Sequence, residues 1–130
     1  MIPNATKKIR FFTDLYAWQK AHQLVLSIYK ITQSFPRDEL FGLSSQIRRS
    51  SASVGANIAE GFGRPSLREK IQFYSIAQSS LTETQNHLIL SHDLGYIKDA
   101  VFHQTFLESQ EVSKILQGLI SKTRARALSS

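Results

Sequence analysis

The sequence predicts an all-α fold, an antiparallel up-down four-helix bundle with flexible basic termini. Apolar residues recur at the three- and four-residue spacing of amphipathic helices, and no segment alternates as a strand does. Proline and glycine fall between the periodic segments, where they mark short turns that favour antiparallel neighbours. The chain has 130 residues, 42% of them hydrophobic and none cysteine, so we expect one core without disulfides.

Charge divides the chain into three predicted regions: a basic arm at residues 1–13, the bundle at residues 14–120, and a basic tail at residues 121–130. Within the bundle, 10 basic and 10 acidic side chains cancel, so the termini carry the whole net charge of +6. We expect these ends to be partly disordered, and either to aid solubility or to contact phosphate. Their basic residues are Lys7, Lys8, Arg10, Lys122, Arg124 and Arg126.

The first helix is predicted over residues 14–34, with Thr13 or Asp14 as its N-cap. Polar residues fill one narrow stripe of this helix, and its apolar surface is wider than a single core-facing stripe requires. We therefore expect part of that surface to contact a second copy of the chain. Trp18 is interpreted as a core residue or, alternatively, as an interface anchor. One side of the helix carries Trp18, Val25, Ile28 and Tyr29, and the additional apolar residues are Leu24, Ile31 and Phe35.

The second helix is predicted over residues 43–60, before Gly61 and Gly63. A stripe of small residues lies opposite its core line. Small side chains either let another helix approach closely or are simply tolerated on an exposed helix. The core line is Leu43, Ile47, Ser51, Val54 and Ile58. The small residues are Ser45, Ala52, Gly55, Ala56 and Ala59, and all but the first are assigned to the oligomer interface.

The third helix is predicted over residues 66–93 and the fourth over residues 99–123. Ser66 and Glu69 have the spacing of a capping box, the strongest helix start in the chain. The core line of the third helix is Phe73 or Tyr74, then Ala77, Leu81, Thr84, Leu88 and Ser91. The core residues of the fourth are Val101, Phe102, Thr105, Val112, Ile115, Leu116 and Leu119.

Motifs for catalysis are missing from the sequence. Glu83 and His87 share a helix face, but two ligands are too few for a specific metal site, and no glutamate has a histidine three residues later, as di-metal carboxylate bundles do. No nucleophile elbow or phosphate-binding loop is present. We therefore expect no enzymatic activity, metal or cofactor. Because no apolar stretch spans a bilayer and no secretory leader is visible, we also expect a cytoplasmic protein without membrane contact.

Polar side chains are densest in the second helix and the turn that follows it. In one interpretation they are structural: Asn57 bonds the glycine turn, while Glu60 pairs with an arginine and fixes the helix end. In the other interpretation the arginines contact a ligand or RNA, since guanidinium groups match phosphates as readily as carboxylates. The arginines concerned are Arg48, Arg49, Arg64 and Arg68.

The sequence of the second helix resembles a known family. Residues 41–51 read FGLSSQIRRSS and residues 53–61 read SVGANIAEG, followed by Gly63-Arg64. These runs are similar to those of the four helix bundle protein family, also called the 23S rRNA intervening-sequence protein family. The resemblance covers roughly residues 12–120, although many relatives have proline where this chain has Gly55. Supporting matches are WQKA at residues 18–21, Phe35-Pro36, Glu69, Phe73-Tyr74 and Gly95-Tyr96-Ile97.

This resemblance implies a left-handed up-down bundle that assembles as a ring-shaped homopentamer. The members of the family include open reading frames inside intervening sequences of large-subunit ribosomal RNA genes. A related branch, the accessory variability proteins of diversity-generating retroelements, binds a reverse transcriptase and nucleic acid through a basic surface. No catalytic residues carry over from the family to this chain.

Two functions therefore remain open from the sequence. In the first, a homo-oligomeric ring uses its basic residues to bind RNA or DNA as an accessory factor. In the second, the ring is a scaffold that recruits a reverse transcriptase or another protein, and the basic ends only aid solubility. The residues assigned to nucleic-acid binding are Lys7, Lys8, Arg10, Arg48, Arg49, Arg64, Arg68, Lys122, Arg124 and Arg126.

Overall fold

The computed structural model describes residues 8–129, and all of its long elements are helices. Two short 3-10 turns, Phe12–Asp14 and Arg37–Glu39, precede the first and second helices. No strand occurs within the described part of the chain. The α-helices are α1 (Tyr16–Thr32), α2 (Leu43–Phe62), α3 (Leu67–Asp93) and α4 (Asp99–Ser129).

Each helix packs against its neighbours in the chain, and α4 closes the bundle against α1. Within residues 8–129, the Cα atoms of the diagonal pairs α1 with α3 and α2 with α4 are more than 8 Å apart. Across α1 and α4, Lys20 pairs with Glu111 at 3.2 Å and Ser27 donates to Glu108 at 3.1 Å, so one helix ascends where the other descends. The other interfaces show the same reversed order. The predicted antiparallel four-helix bundle is therefore confirmed.

The core lines predicted for α2 and α3 are confirmed, and Tyr74 rather than Phe73 occupies the first core position of α3. Buried hydroxyl groups join these two helices: Thr84 donates to Ser50 at 2.9 Å, and the hydroxyls of Ser53 and Ser80 are 2.9 Å apart. Because serine and threonine side chains are small, they let α2 and α3 approach closely while satisfying their own polar atoms. On α4, Val101 is exposed instead of buried, so that core prediction is wrong.

In α1 the core coincides only partly with the side that carries Trp18 and Tyr29, although Ile28 of that side is fully buried. Its buried stripe contains the small residues Ala17 and Ala21 together with Leu24, whereas Tyr29 is exposed. Leu24 is 1% exposed and Phe35 is 8% exposed, so neither contacts a second copy, and this part of the predicted interface is wrong. The wide apolar face exists because α1 packs on α2 along one edge and on α4 along the other.

The start of α1 also differs from the prediction. Asp14 accepts the backbone N–H groups of Arg10 (3.0 Å) and Phe11 (3.1 Å) through Oδ2, so it belongs to the preceding 3-10 turn. The helix therefore begins at Tyr16 rather than at residue 14. By contrast, the start predicted for α3 is confirmed: Ser66 Oγ accepts the backbone N–H of Glu69 at 3.1 Å.

The C-terminal residues 121–129 differ from the flexible tail predicted, because they continue α4 to Ser129. Ile120 and Thr123 are both buried, so this stretch has packing partners that its composition did not reveal. It also contains no proline or glycine to end the helix, and alanine, arginine and leucine are strong helix formers. The basic side chains of the tail are consequently fixed on a helix surface.

We also compared the helices with the length and hydropathy needed to cross a bilayer. Over residues 8–129, none of the four combines sufficient length with sufficient apolar character. All of them instead alternate buried and exposed positions with helical periodicity.

Candidate nucleic-acid interface

The up-down topology brings three separate segments to one end of the bundle: residues 8–14, residues 60–70 and residues 120–129. We call these segments the basic end. They contain eight basic residues and three acidic ones. The eight are Lys8, Arg10, Arg64, Arg68, Lys70, Lys122, Arg124 and Arg126. Lys7, also predicted to bind nucleic acid, lies outside the described residues.

The opposite end of the bundle has a different charge balance. It consists of residues 30–42 and residues 92–103, which contain three basic and four acidic residues. The bundle is therefore electrically polarised along its axis, although residues 14–120 taken together are formally neutral. Such a field orients an anionic partner toward the basic end.

Two basic side chains at this end stabilise the turn between α2 and α3. Arg64 Nη2 pairs with Glu60 Oε2 at 3.1 Å, and its guanidinium lies 4.4 Å from the centre of the Phe73 ring. Lys70 Nζ donates to the backbone carbonyl oxygen of Phe62, at the end of α2, where a cation is favourable. The predicted pairing of Glu60 with an arginine is therefore confirmed.

Lys70 is absent from the residues that the sequence assigned to nucleic-acid binding. Burial lowers the pKa of the Lys70 ammonium, and the positive charge of Arg126 lowers it further. Arg126 lies on α4 and Lys70 on α3, so this repulsion shows that cations from different helices are close together. An incoming anion would relieve it.

The other cations of the basic end are exposed and make no ion pair among residues 8–129. Their charges are therefore available to a partner. Arginine can donate two parallel hydrogen bonds to a phosphate, whereas lysine acts as a compact point charge. These exposed residues are Lys8, Arg10, Arg68, Lys122, Arg124 and Arg126.

Arg48 and Arg49 do not join this group, so their assignment with Arg64 and Arg68 is corrected. Arg48 lies fourteen residues before the end of α2, which is about 21 Å along the helix axis. Its Nε donates to Thr32 Oγ1 at 2.7 Å. Arg49 pairs with Glu83 on α3. The sequence could not separate these arginines, because a helical wheel shows which face a residue occupies but not its position along the helix axis.

Asn57 also differs from its predicted role. Its side-chain amide donates to the carbonyl oxygen and hydroxyl of Ser53 at 2.8 and 2.9 Å, one turn earlier in α2. It therefore does not bond the glycine turn at residues 61–63. The carbonyls of that turn are instead contacted by Lys70.

The small-residue stripe of α2 is only partly exposed. Ala52 and Ala56 face outward, but Ala59 and Gly55 are half-buried. Trp18 covers Gly55 so closely that an added Cβ would lie 3.5 Å from Trp18 Nε1. Trp18 packs against the core, in agreement with its interpretation as a core residue, and so does the half-buried Ile31.

Exposed aromatic and aliphatic side chains lie near the first two helices at the end opposite the basic end. Phe41 is 92% exposed, and Tyr29 and Leu40 are also exposed. We call these three residues the apolar face. Turns normally carry polar residues, so the adjacent Leu40 and Phe41 are a signal that could have been found in the sequence.

Titratable side chains do not form a metal site in the part of the chain that the structure describes. No group of three or more histidine or carboxylate side chains is suitably placed within residues 8–129. Glu83 and His87 form the predicted pair on α3, with Oε2 and Nε2 3.3 Å apart.

Comparison with known proteins gives one family and a structural neighbour. The family model described as 23S rRNA-intervening sequence protein matches residues 13–118. A solved structure from Bacteroides thetaiotaomicron, of a protein with unknown function from the S23 ribosomal protein family, is 29% identical with a TM-score of 0.72. That match covers 80% of this chain and 97% of the other. No curated protein matches the sequence.

Proposed function

Because the chain belongs to the 23S rRNA-intervening sequence protein family, we propose that it is a non-catalytic accessory protein that binds RNA through the basic end. The observation that carries the proposal is the set of exposed cations that three separate segments contribute to one end of the bundle, where they make no ion pair with any residue from 8 to 129. The family and its structural neighbour have no established activity that would suggest an enzyme instead.

Phosphate is the partner that these cations fit best. They lie on the segment that precedes α1 and on the ends of α3 and α4 rather than on one helix, so they present positive charge over a surface and not at a single point. Helices in a bundle are about 8–10 Å apart, a spacing that allows one nucleic-acid backbone to contact several of them. Neutralising several phosphates releases counterions, so affinity should fall steeply with added salt.

We further propose that copies of the chain assemble into a ring through the apolar face. Phe41 and its neighbours Tyr29 and Leu40 expose apolar surface that a monomer would leave in water. The resemblance implies five copies. A ring of identical subunits would place several basic ends on one assembly and multiply their contacts with a single RNA.

Replacing basic residues with glutamate, at one end of the bundle or at the other, tests the RNA proposal. Removing residues 121–130 is unsuitable, because Thr123 is 4% exposed and helps to pack α4. We instead compare two double variants. One combines Arg68→Glu and Arg124→Glu at the basic end, and the other, the control, combines Arg37→Glu and Lys98→Glu at the opposite end. Both double variants change the net charge equally. The probe is an RNA hairpin with a single-stranded overhang, labelled with fluorescein.

At low salt we expect the basic-end variant to bind this hairpin about tenfold or more weakly, and the control to bind nearly as well as the original protein. Equal loss in both variants would show that only total charge matters. Absence of binding by the unaltered protein would contradict the proposed function.

The exposed apolar face also supports a second candidate function, a scaffold for a protein partner such as a reverse transcriptase. Phe41 would then be a binding anchor, since aromatic residues often dominate interfaces. In this alternative the basic end has no ligand and the hairpin does not bind, while the apolar face still holds a partner.

A further inference from the structure

A row of aromatic rings begins at the basic end and follows the surface of α1. The ring centres of Phe11 and Phe12 are 4.3 Å apart, and those of Phe12 and Trp18 are 5.4 Å apart. The row continues to His22, whose ring is stacked on Trp18 at 4.7 Å with an angle of 12° between the planes. Four rings are therefore in successive contact.

The first ring of this row is held in place and is open to solvent. Phe11 is 56% exposed, whereas Phe12 and Trp18 are half-buried. Asp14 fixes the backbone of Phe11 through the 3.1 Å hydrogen bond to its N–H. The row is supported from below, because Trp18 lies against the backbone of α2 at Gly55. Phe11 thus offers an aromatic surface that needs little further ordering before it can bind.

Two basic residues precede Phe11 within three positions of it in the chain. Lys8 and Arg10 are both exposed, and neither side chain forms an ion pair with another described residue. An aromatic ring beside unpaired cations is the arrangement with which proteins bind single-stranded nucleic acid: bases stack on the ring, and the cations follow the backbone. A purely apolar partner would leave these charges without a counterpart, so charge complementarity favours the nucleic acid.

We infer that Phe11 stacks on an unpaired base while Lys8 and Arg10 contact the neighbouring phosphates, so that the basic end takes single-stranded rather than fully paired RNA. The inference rests on the proposed RNA binding and deepens it by naming the form of RNA. In a duplex the bases are stacked on one another and are closed to such a ring, whereas the phosphates of a duplex and of a single strand carry the same charge.

Three probes separate base stacking from simple attraction to phosphate. They are an oligouridylate strand, a strand of equal length that lacks bases, and an RNA duplex. Trp18 is the one tryptophan in the chain, so its fluorescence reports directly on the aromatic row. Because these probes are tested on the unaltered protein, the outcome does not depend on whether a variant folds.

We expect the base-bearing strand to bind about 5- to 150-fold more tightly than the strand without bases, the range for one stacked base, and to change Trp18 emission. Phe11→Leu should abolish most of this difference, while Leu107→Ala, which removes an exposed apolar side chain from α4 outside the basic end, should preserve it. Equal affinity for the strands with and without bases would overturn the inference and leave RNA binding intact.

Two other results would also count against the inference. If Phe11→Leu lowered the mass of the assembly measured by light scattering, the ring would be part of a contact between copies. If none of the three probes bound at low salt, the proposed function itself would fail, and the stacking site with it.

Discussion

Arg126 in α4 lies close enough to Lys70 in α3 for its positive charge to lower the pKa of the Lys70 ammonium, in addition to the effect of burial. The two residues are 56 positions apart in the sequence. They are near each other because the end of α4 lies beside the start of α3. This pair marks the region where the bundle concentrates positive charge without enough carboxylates to balance it.

The first prediction concerns this pair. Arg126→Gln removes a like charge, so it should raise the pKa of Lys70 toward its usual value, and the remaining effect of burial should keep it below that value. Titration of the Lys70 side chain by NMR measures the change. Lys114→Gln, farther along α4 from the basic end, is the control and should leave the Lys70 pKa unaltered.

The second prediction compares two glycines of α2. At Gly61 an added Cβ would lie 2.8 Å from Cε1 of Tyr74, so Gly61→Ala should lower the free energy of unfolding by about 1–3 kcal/mol. At Gly55 the same atom meets Trp18 at an ordinary 3.5 Å, so Gly55→Ala should raise stability by about 0.5–1 kcal/mol. Urea unfolding followed by circular dichroism measures both values. If both substitutions changed the free energy of unfolding in the same direction, the packing described for α2 would be contradicted.

The third prediction concerns assembly. Light scattering should give a particle several times the 14.7 kDa of one chain. Phe41→Ser should reduce that mass, because it removes an exposed aromatic side chain from the apolar face. Leu107→Ser removes an exposed apolar side chain from α4 instead and should not change the mass. A single-chain mass for the unaltered protein at micromolar concentration would contradict assembly through the apolar face.

The fourth prediction concerns pH. His92 Nε2 and Asp99 Oδ1 are 2.6 Å apart, and this hydrogen bond, together with the charge on His92, lowers the pKa of Asp99 below its usual 3.8. A carboxyl group with a lowered pKa stabilises the fold above its unfolded-state pKa, and this contribution disappears as the pH falls through its folded-state pKa. Asp99→Asn should therefore be less stable than the original protein at neutral pH.

The difference in melting temperature between the original protein and Asp99→Asn should become smaller as the pH falls. Melting followed between about pH 2 and about pH 6 covers the change. Asp38→Asn is a suitable control, because Asp38 makes no hydrogen bond through its side chain with residues 8–129. If the melting temperatures of the original protein and Asp99→Asn differed by the same amount at every pH, the ionic pair with His92 would not contribute to stability.

Much of the fold was predictable because α2 and α3 have clear periodicity. Ile47, Val54 and Ile58 repeat at helical spacing, and Ser66 begins a capping motif. The direction of the α1 core was not predictable in the same way. Large apolar residues occupy more than one side of that helix, so the pattern alone suggested Tyr29 for the core, whereas close packing selects the smaller Ala21.

The candidate site was only partly predictable. The sequence identified the basic residues, but it grouped Arg48 with Arg64 because both are near the same motif. Their separation follows from the length of α2, which places them toward different ends of the bundle. Conversely, Lys70 and Arg126 are distant in sequence and come together only through tertiary packing.

Ultraviolet crosslinking of the RNA hairpin to the intact protein, followed by mass spectrometry of the attached peptides, tests the central claim most directly. We expect crosslinks in residues 8–14, 60–70 and 120–129, with Phe11 among the modified residues. Crosslinks concentrated in residues 30–42 and 92–103 would contradict the assignment of the basic end as the RNA-binding surface.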